Sequence, residues 1–159
     1  MKFPASVARV FILLALPSML LTGSCATVEL GDNPPPPELQ LDEDFFYCRI
    51  QPEVLTAQSC ASGGPGEDGS CHSARSALRL SVAAETDPPP TCQGDRAVGP
   101  VPASYIANFA AIQFTVQADP LSSALFRRPI NLDSHPRQIY AVDSVESTLV
   151  RDWITAGAR

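Results

Sequence analysis

Lysine is almost missing from this chain of 159 residues: Lys2 is the only one, and methionine occurs only at Met1 and Met19. Histidine occurs twice, at His72 and His135, and tryptophan once, at Trp153. Each scarcity excludes something. The cationic side chains are Lys2 and the arginines, set against 17 carboxylates, so the chain lacks the basic footprint that nucleic-acid binding requires. Beyond residue 19 no thioether sulfur can serve as a ligand. Structural zinc sites are built from two tight Cys/His pairs, whereas Cys71-His72 is the one adjacent pair here. No Gly-x-Ser-x-Gly turn is present, and the neighbours Asp133, Ser134 and His135 do not converge as a catalytic triad does. The carboxylates are scattered in the manner of a solvated surface, no internal repeat is visible, and no constellation marks an enzyme.

What is present begins with an export signal. Lys2 and Arg9 precede an apolar run over residues 10–21 that Pro17 interrupts. That run is short of the roughly 20 apolar residues a membrane span needs, so residues 1–24 read as a secretory signal peptide. The run ends in Leu21-Thr22-Gly23-Ser24-Cys25, which resembles a bacterial lipobox. The resemblance implies a lipoprotein: Cys25 becomes the acylated (palmitate-bearing) mature N-terminus. Ala26 in place of Asp then implies the outer membrane of the cell envelope. Each buried acyl methylene adds about 0.8 kcal/mol, so several chains on one cysteine anchor stably. Loss of Lys2 and Arg9 on cleavage leaves nine arginines against 17 carboxylates, a net charge of −8 with both histidines neutral. Anionic lipid does not attract such a surface, so the acyl chains must supply the attachment.

Residues 25–41 form a tether. Pro34-Pro35-Pro36-Pro37 within it favours extended polyproline II, a semi-rigid spacer. Residues 42–159 are expected to make one small, mostly α domain with long Pro/Gly-rich loops. Asp42-Glu43-Asp44 suits a helix N-terminus, and Phe45, Phe46, Ile50, Val54 and Leu55 follow at helical spacing until Pro52 predicts a break near Gln51. Tyr105, Ile106, Phe109, Ile112, Phe114 and Val116 are the densest apolar group; helix over 103–112 and either helix or strand over 112–117 fit it equally. Asp119 and Pro120 predict a capped helix over 120–127. A last helix is predicted with Asp143 as N-cap, Glu146 three residues on, Val145, Leu149, Val150, Trp153 and Ile154 on one face, and Gly157 closing it.

Apart from Cys25 there are four cysteines, an even number in an exported chain, which allows two disulfides in three pairings. Alternatively Cys48 and Cys92 form a single bridge, pinning the proline-rich loop around Cys92 to the first helix, while Cys60 and Cys71 serve another purpose. Between these two lies Ala61-Ser62-Gly63-Gly64-Pro65-Gly66-Glu67-Asp68-Gly69-Ser70. So glycine-rich a stretch lets the chain fold back and bring both thiols, with His72, to one point. A Cys-His pair closing such a loop is how covalent haem is held, although the usual spacing is Cys-x-x-Cys-His.

Three pieces together resemble the small cytochrome c domains of bacterial exported proteins. They are Phe46-x-x-x-Ile50-Gln51-Pro52-x-Val54-Leu55 leading to Cys60 and Cys71-His72; Ser123-x-Leu125-x-x-x-Pro129 followed by His135-Pro136; and Leu149-x-x-x-Trp153-Ile154-x-x-Gly157-Ala158. The resemblance implies a cytochrome c-like fold, thioether attachment of haem c at Cys60 and Cys71, and His72 as proximal iron ligand. It leaves His135 for the sixth position and Arg127-Arg128 near a propionate. Electron transfer or haem-based sensing with an envelope redox partner would follow. The other reading of the same residues is a haem-free envelope binding or structural module, with Cys60 and Cys71 joined in a disulfide.

Overall fold

A computed structural model describes residues 39–64 and 70–158. The signal segment, Cys25 and most of the tether lie outside the described residues. The fold is mostly helical, with one small antiparallel ribbon.

Asp42 accepts a hydrogen bond from Phe45 N–H at 3.0 Å, satisfying one of the orphan donors at the start of helix α1 (Glu43–Phe45). That helix does not break at Gln51. It runs on as a π-helix, Phe46–Thr56, straight through Pro52. Proline lacks the N–H for an i→i−4 bond, and its ring collides with the carbonyl four residues back. The wider π turn makes room for the ring, although the missing donor stays missing, and Ala57 N–H donates to the Pro52 carbonyl five residues back at 3.3 Å. An uninterrupted helix keeps Phe46, Ile50, Val54 and Leu55 all buried.

Helix α2 (Ala103–Ile112) buries Tyr105, Phe109 and Ile112 and continues as a 3₁₀ turn, Gln113–Thr115, with no strand. Phe114, a member of the densest apolar group, is 86% exposed, and Ile106 is half-exposed. Buried polar groups join this helix to the first. Asn108 Nδ2 donates to Gln51 Oε1 at 2.9 Å while its Oδ1 accepts from Ser81 N–H at 2.7 Å. Gln51 Nε2 in turn reaches Thr56 Oγ1, which donates to the Ala84 carbonyl. Every member is partnered, as burial demands, and the network fixes where the chain leaves Leu80 for the 3₁₀ turn Val82–Glu85.

Strands β1 (Cys92–Gln93) and β2 (Arg96–Ala97) form the ribbon. Gly94, at φ +61°, makes its tight turn. Cys48 and Cys92 are joined by a disulfide that ties the ribbon to the first helix. Asp119 caps the next segment by accepting from Leu121 N–H at 3.1 Å. The predicted helix over 120–127 is nevertheless divided into a 3₁₀ turn, Pro120–Ser122, and helix α3 (Ala124–Arg127). Between them Ser123 is extended, and its buried hydroxyl is held by the Gln117 and Asp119 carbonyls.

Helix α4 (Val145–Gly157) closes the core. Its N-cap is Ser144, not Asp143: the serine hydroxyl accepts from Ser147 N–H at 3.2 Å. Val150, Trp153 and Ile154 are buried, but Val145 at the helix start is 72% exposed. Gly157 does not close the helix by adopting a left-handed conformation; it lies within the last turn. A Cβ there would sit 3.0 Å from the Gln40 carbonyl oxygen and 3.1 Å from Leu41 Cδ2. Glycine is thus required by close approach of the incoming chain, whose Gln40 N–H donates to the Gly157 carbonyl at 2.9 Å. Residues 39–41, assigned to the tether on sequence, belong to the folded body.

Glu146 lies in the first turn of α4 and its carboxyl is held below the usual range, first by its own backbone N–H and then by the Ser144 hydroxyl. A depressed folded-state value stabilises the fold above the unfolded carboxyl pKa and is lost as pH falls through the folded one. Glu146→Gln is therefore expected to be less stable than the parent at pH 7 and to converge with it below about pH 4. Urea unfolding at the two pH values checks this; a constant gap would disprove the assignment.

Candidate functional site

The end of the first helix delivers Cys60, whose N–H donates to the Leu55 carbonyl at 2.9 Å. The two described ends of the glycine-rich stretch lie against each other. His72 N–H donates to the Ala61 carbonyl at 3.0 Å and is 3.3 Å from that of Cys60, and Ser73 N–H donates to Ala61 at 3.1 Å. Glu85 holds the near corner, its Oε1 accepting from Ala61 N–H and Ser62 N–H at 2.9 and 3.0 Å. Cys60 and Cys71 are both free thiols and half-buried. Burial pushes the Cys60 thiol up to about 12, with the Glu85 carboxylate adding to the effect. At neutral pH it is a neutral S–H, not the thiolate that attacks disulfides or binds zinc.

His72 is the second residue of a short π turn, Cys71–Arg75. Its Nδ1 lies 2.7 Å from Ser76 Oγ, and Ser76 Oγ lies 2.6 Å from the Leu78 carbonyl. A hydroxyl has one hydrogen. Ser76 must give it to the carbonyl, so His72 Nδ1 is the donor to Ser76. This network assigns the Nδ1–H tautomer and leaves the lone pair on Nε2. Burial, and then His135 and Arg128, keep the His72 imidazole below its ordinary pKa, which preserves that lone pair.

His135 comes from the turn between α3 and α4. Its Nδ1 is 2.6 Å from the Arg137 carbonyl. A carbonyl only accepts, so His135 carries a hydrogen on Nδ1 and donates it to Arg137. The two imidazoles, 63 residues apart in sequence, have ring centroids 6.1 Å apart and planes 22° from parallel. They line one cleft whose walls include Leu78, Leu125 and Pro129, with Arg128 and Thr115 at its polar side. Among the described residues no hydrogen bond engages Nε2 of either ring, and no three His, Cys, Asp or Glu side chains converge as a metal cluster. The donors brought together are two imidazoles, each hydrogen-bonded through Nδ1.

Other sequence-level combinations come apart. Cys92 is spent on Cys48, so it cannot join Cys60, Cys71 and His72 around zinc. His135 Nδ1 turns to the Arg137 backbone, and Asp133 is bonded to Ser134 N–H at 2.7 Å. Arg128 does line the cleft, with a long 3.8 Å ion pair to Asp133. Sequence reasoning missed Ser76, Glu85 and Arg137. Ser76 was within reach, standing one helical turn after His72; Glu85 and Arg137 act through folds of the chain that no spacing reveals. No protein-family model, curated protein or solved structure matches the chain.

Proposed function

We propose that residues 42–159 form a cytochrome c-like haem-binding domain that carries electrons, tethered to the outer membrane through an acylated Cys25. His72 and His135 would ligate the iron, and Cys60 and Cys71 would attach the porphyrin. The observation that carries this reading is the histidine pair. Both rings donate from Nδ1 to protein oxygens, have no Nε2 hydrogen bond among the described residues, and have centroids 6.1 Å apart, a separation that would admit one metal ion given metal–imidazole bonds of about 2.0–2.1 Å. Outer hydrogen bonds of this kind orient ligating imidazoles and raise their basicity. When bound, haem supplies a one-electron iron couple, and bis-imidazole ligation makes it low-spin and of low potential. The chain's own contribution is to fix both rings through Nδ1, to leave Cys60 and Cys71 as free thiols, and to wall the cleft with Leu78, Leu125 and Pro129.

Cysteine pairing supports haem over the stapled module. Cys48–Cys92 is made while Cys60 and Cys71 remain thiols, the distribution in which these two are reserved for thioethers. Among the described residues no helix is long and apolar enough to cross a membrane.

The mature protein, produced in a host with haem-maturation machinery, is expected to show a Soret band, a low-spin spectrum and a mass increase of one covalent haem. Cys71→Ser should reduce the covalent yield and His72→Ala should abolish the low-spin spectrum. Protein that lacks a Soret band and carries a Cys60–Cys71 disulfide would establish the haem-free module instead.

A further inference from the structure

We infer that Arg137 is the positioning residue for His135, strapping the turn that carries this histidine onto the cysteine loop and thereby setting how firmly the sixth iron position is held. The inference rests on the bis-histidine reading above. The ends of the His135 turn are secured, by Leu132 N–H to the Arg127 carbonyl at 2.9 Å and by Ile139 N–H to the Pro129 carbonyl at 2.8 Å. Between them residues 133–138 are largely exposed. Arg137 acts on this stretch with both of its halves. Its backbone carbonyl receives the His135 Nδ1–H at 2.6 Å, fixing the tautomer and the tilt of the ring. Its guanidinium donates to the Gly63 carbonyl at 3.0 Å. Among the described residues that is the hydrogen bond that joins the 59–64 corner to the 131–138 turn, across an open cleft lined by Ser59, Gly63, Gly64 and Gln138.

The acceptor side is preset. Gly63 has φ +98° and Gly64 φ +80°, left-handed conformations that glycine adopts without steric cost. Gly63 N–H closes the corner by donating to the Ser59 carbonyl at 2.6 Å. The corner follows Cys60 directly, so the residues that would anchor the porphyrin also hold the strap. Ordering the cysteine loop therefore presents His135 to His72. Losing the strap frees His135 while leaving His72, which is held separately by Ser76, in place. A small iron ligand would then compete for the sixth position.

The test uses the mature chain as wild type, Arg137→Ala, Arg137→Lys and His135→Ala. Imidazole ¹⁵N spectra of haem-free protein should show both histidines as Nδ1–H tautomers in the wild type. In Arg137→Ala, His135 alone should become a tautomer mixture, with partial recovery in Arg137→Lys, which keeps one donor but not the planar fork. In haem-loaded protein, exogenous imidazole or carbon monoxide should bind roughly tenfold more tightly to Arg137→Ala, as expected for loss of one charge-assisted hydrogen bond. Unchanged His135 resonances and unchanged ligand affinity in Arg137→Ala overturn the strap. If instead His135→Ala leaves the low-spin spectrum intact, the bis-histidine reading fails, and the ¹⁵N spectra still decide whether Arg137 orients the ring.

Discussion

Trp153→Ala is expected to destabilise the domain by about 3–5 kcal/mol, the usual range for truncating a buried large aromatic residue. Trp153 is 2% exposed and packs on Phe46 and Phe109 with ring centroids at 5.6 and 6.4 Å. It is also a fastener, because its Nε1–H donates at 2.8 Å to the Asp42 carbonyl, 111 residues away. Asp42 is the residue that caps the first helix. One truncation thus opens a cavity among the aromatic rings and loosens the start of the helix that leads to Cys60. Domains of this size hold about 5–15 kcal/mol in all, so the variant should lie close to global unfolding. Trp153→Phe keeps most of the apolar contact and loses the hydrogen bond, a net effect of about 1 kcal/mol for the bond itself. Equilibrium denaturation of both variants separates packing from hydrogen bonding. A cost below 1 kcal/mol for alanine would show that the core does not depend on this ring.

Replacing both Cys48 and Cys92 with alanine should cost about 4 kcal/mol on the chain-entropy account, given the loop that the bridge closes. The partners are 44 residues apart in sequence, and the stretch between them includes both thiols, His72 and three consecutive prolines. Besides the bridge, exposed ion pairs link the ribbon and its turn to the first helix, Arg49 to Asp95 at 3.3 Å and Arg96 to Asp44 at 3.8 Å. Exposed pairs of this kind each contribute well under about 1 kcal/mol. The bridge stands apart from the histidine cleft, so below the melting temperature the variant should retain the wild-type histidine tautomers. Thermal melts with and without reductant provide the comparison: the reduced wild type should match the double variant. Equal stability of oxidised and reduced protein would contradict the loop-closure account.

Local chemistry was readable where it depends on neighbours in sequence. The carboxylates before Phe45, the cap at Asp119, the apolar spacing of Phe46, Ile50 and Val54, and the meeting of Ala61 with His72 at the two ends of the glycine-rich stretch all appear in the structure. Errors arose where two local signals competed. Pro52 removes one helical hydrogen bond, but the burial gained by keeping Phe46, Ile50, Val54 and Leu55 on one continuous element outweighs it, and a π turn absorbs the misfit. Asp143 and Ser144 are both good caps; the serine prevails because the helix begins one residue later. Gly157 carries the composition of a helix stop, yet its role is to admit the backbone of Gln40.

The sequence by itself determined the mostly helical character, the capping of the first helix and the two histidines as the scarce donors of the chain. Those properties follow from spacing, charge and count, which act over a few residues. Only the tertiary structure decided that Cys48 takes Cys92 and leaves Cys60 and Cys71 as thiols, and that His135 meets His72. It likewise decided that Ser76 and Arg137 choose the tautomers of the two rings. Each of these contacts depends on where the helices cross, and the crossing is set by packing of Trp153, Phe46 and Phe109, residues far apart in the chain.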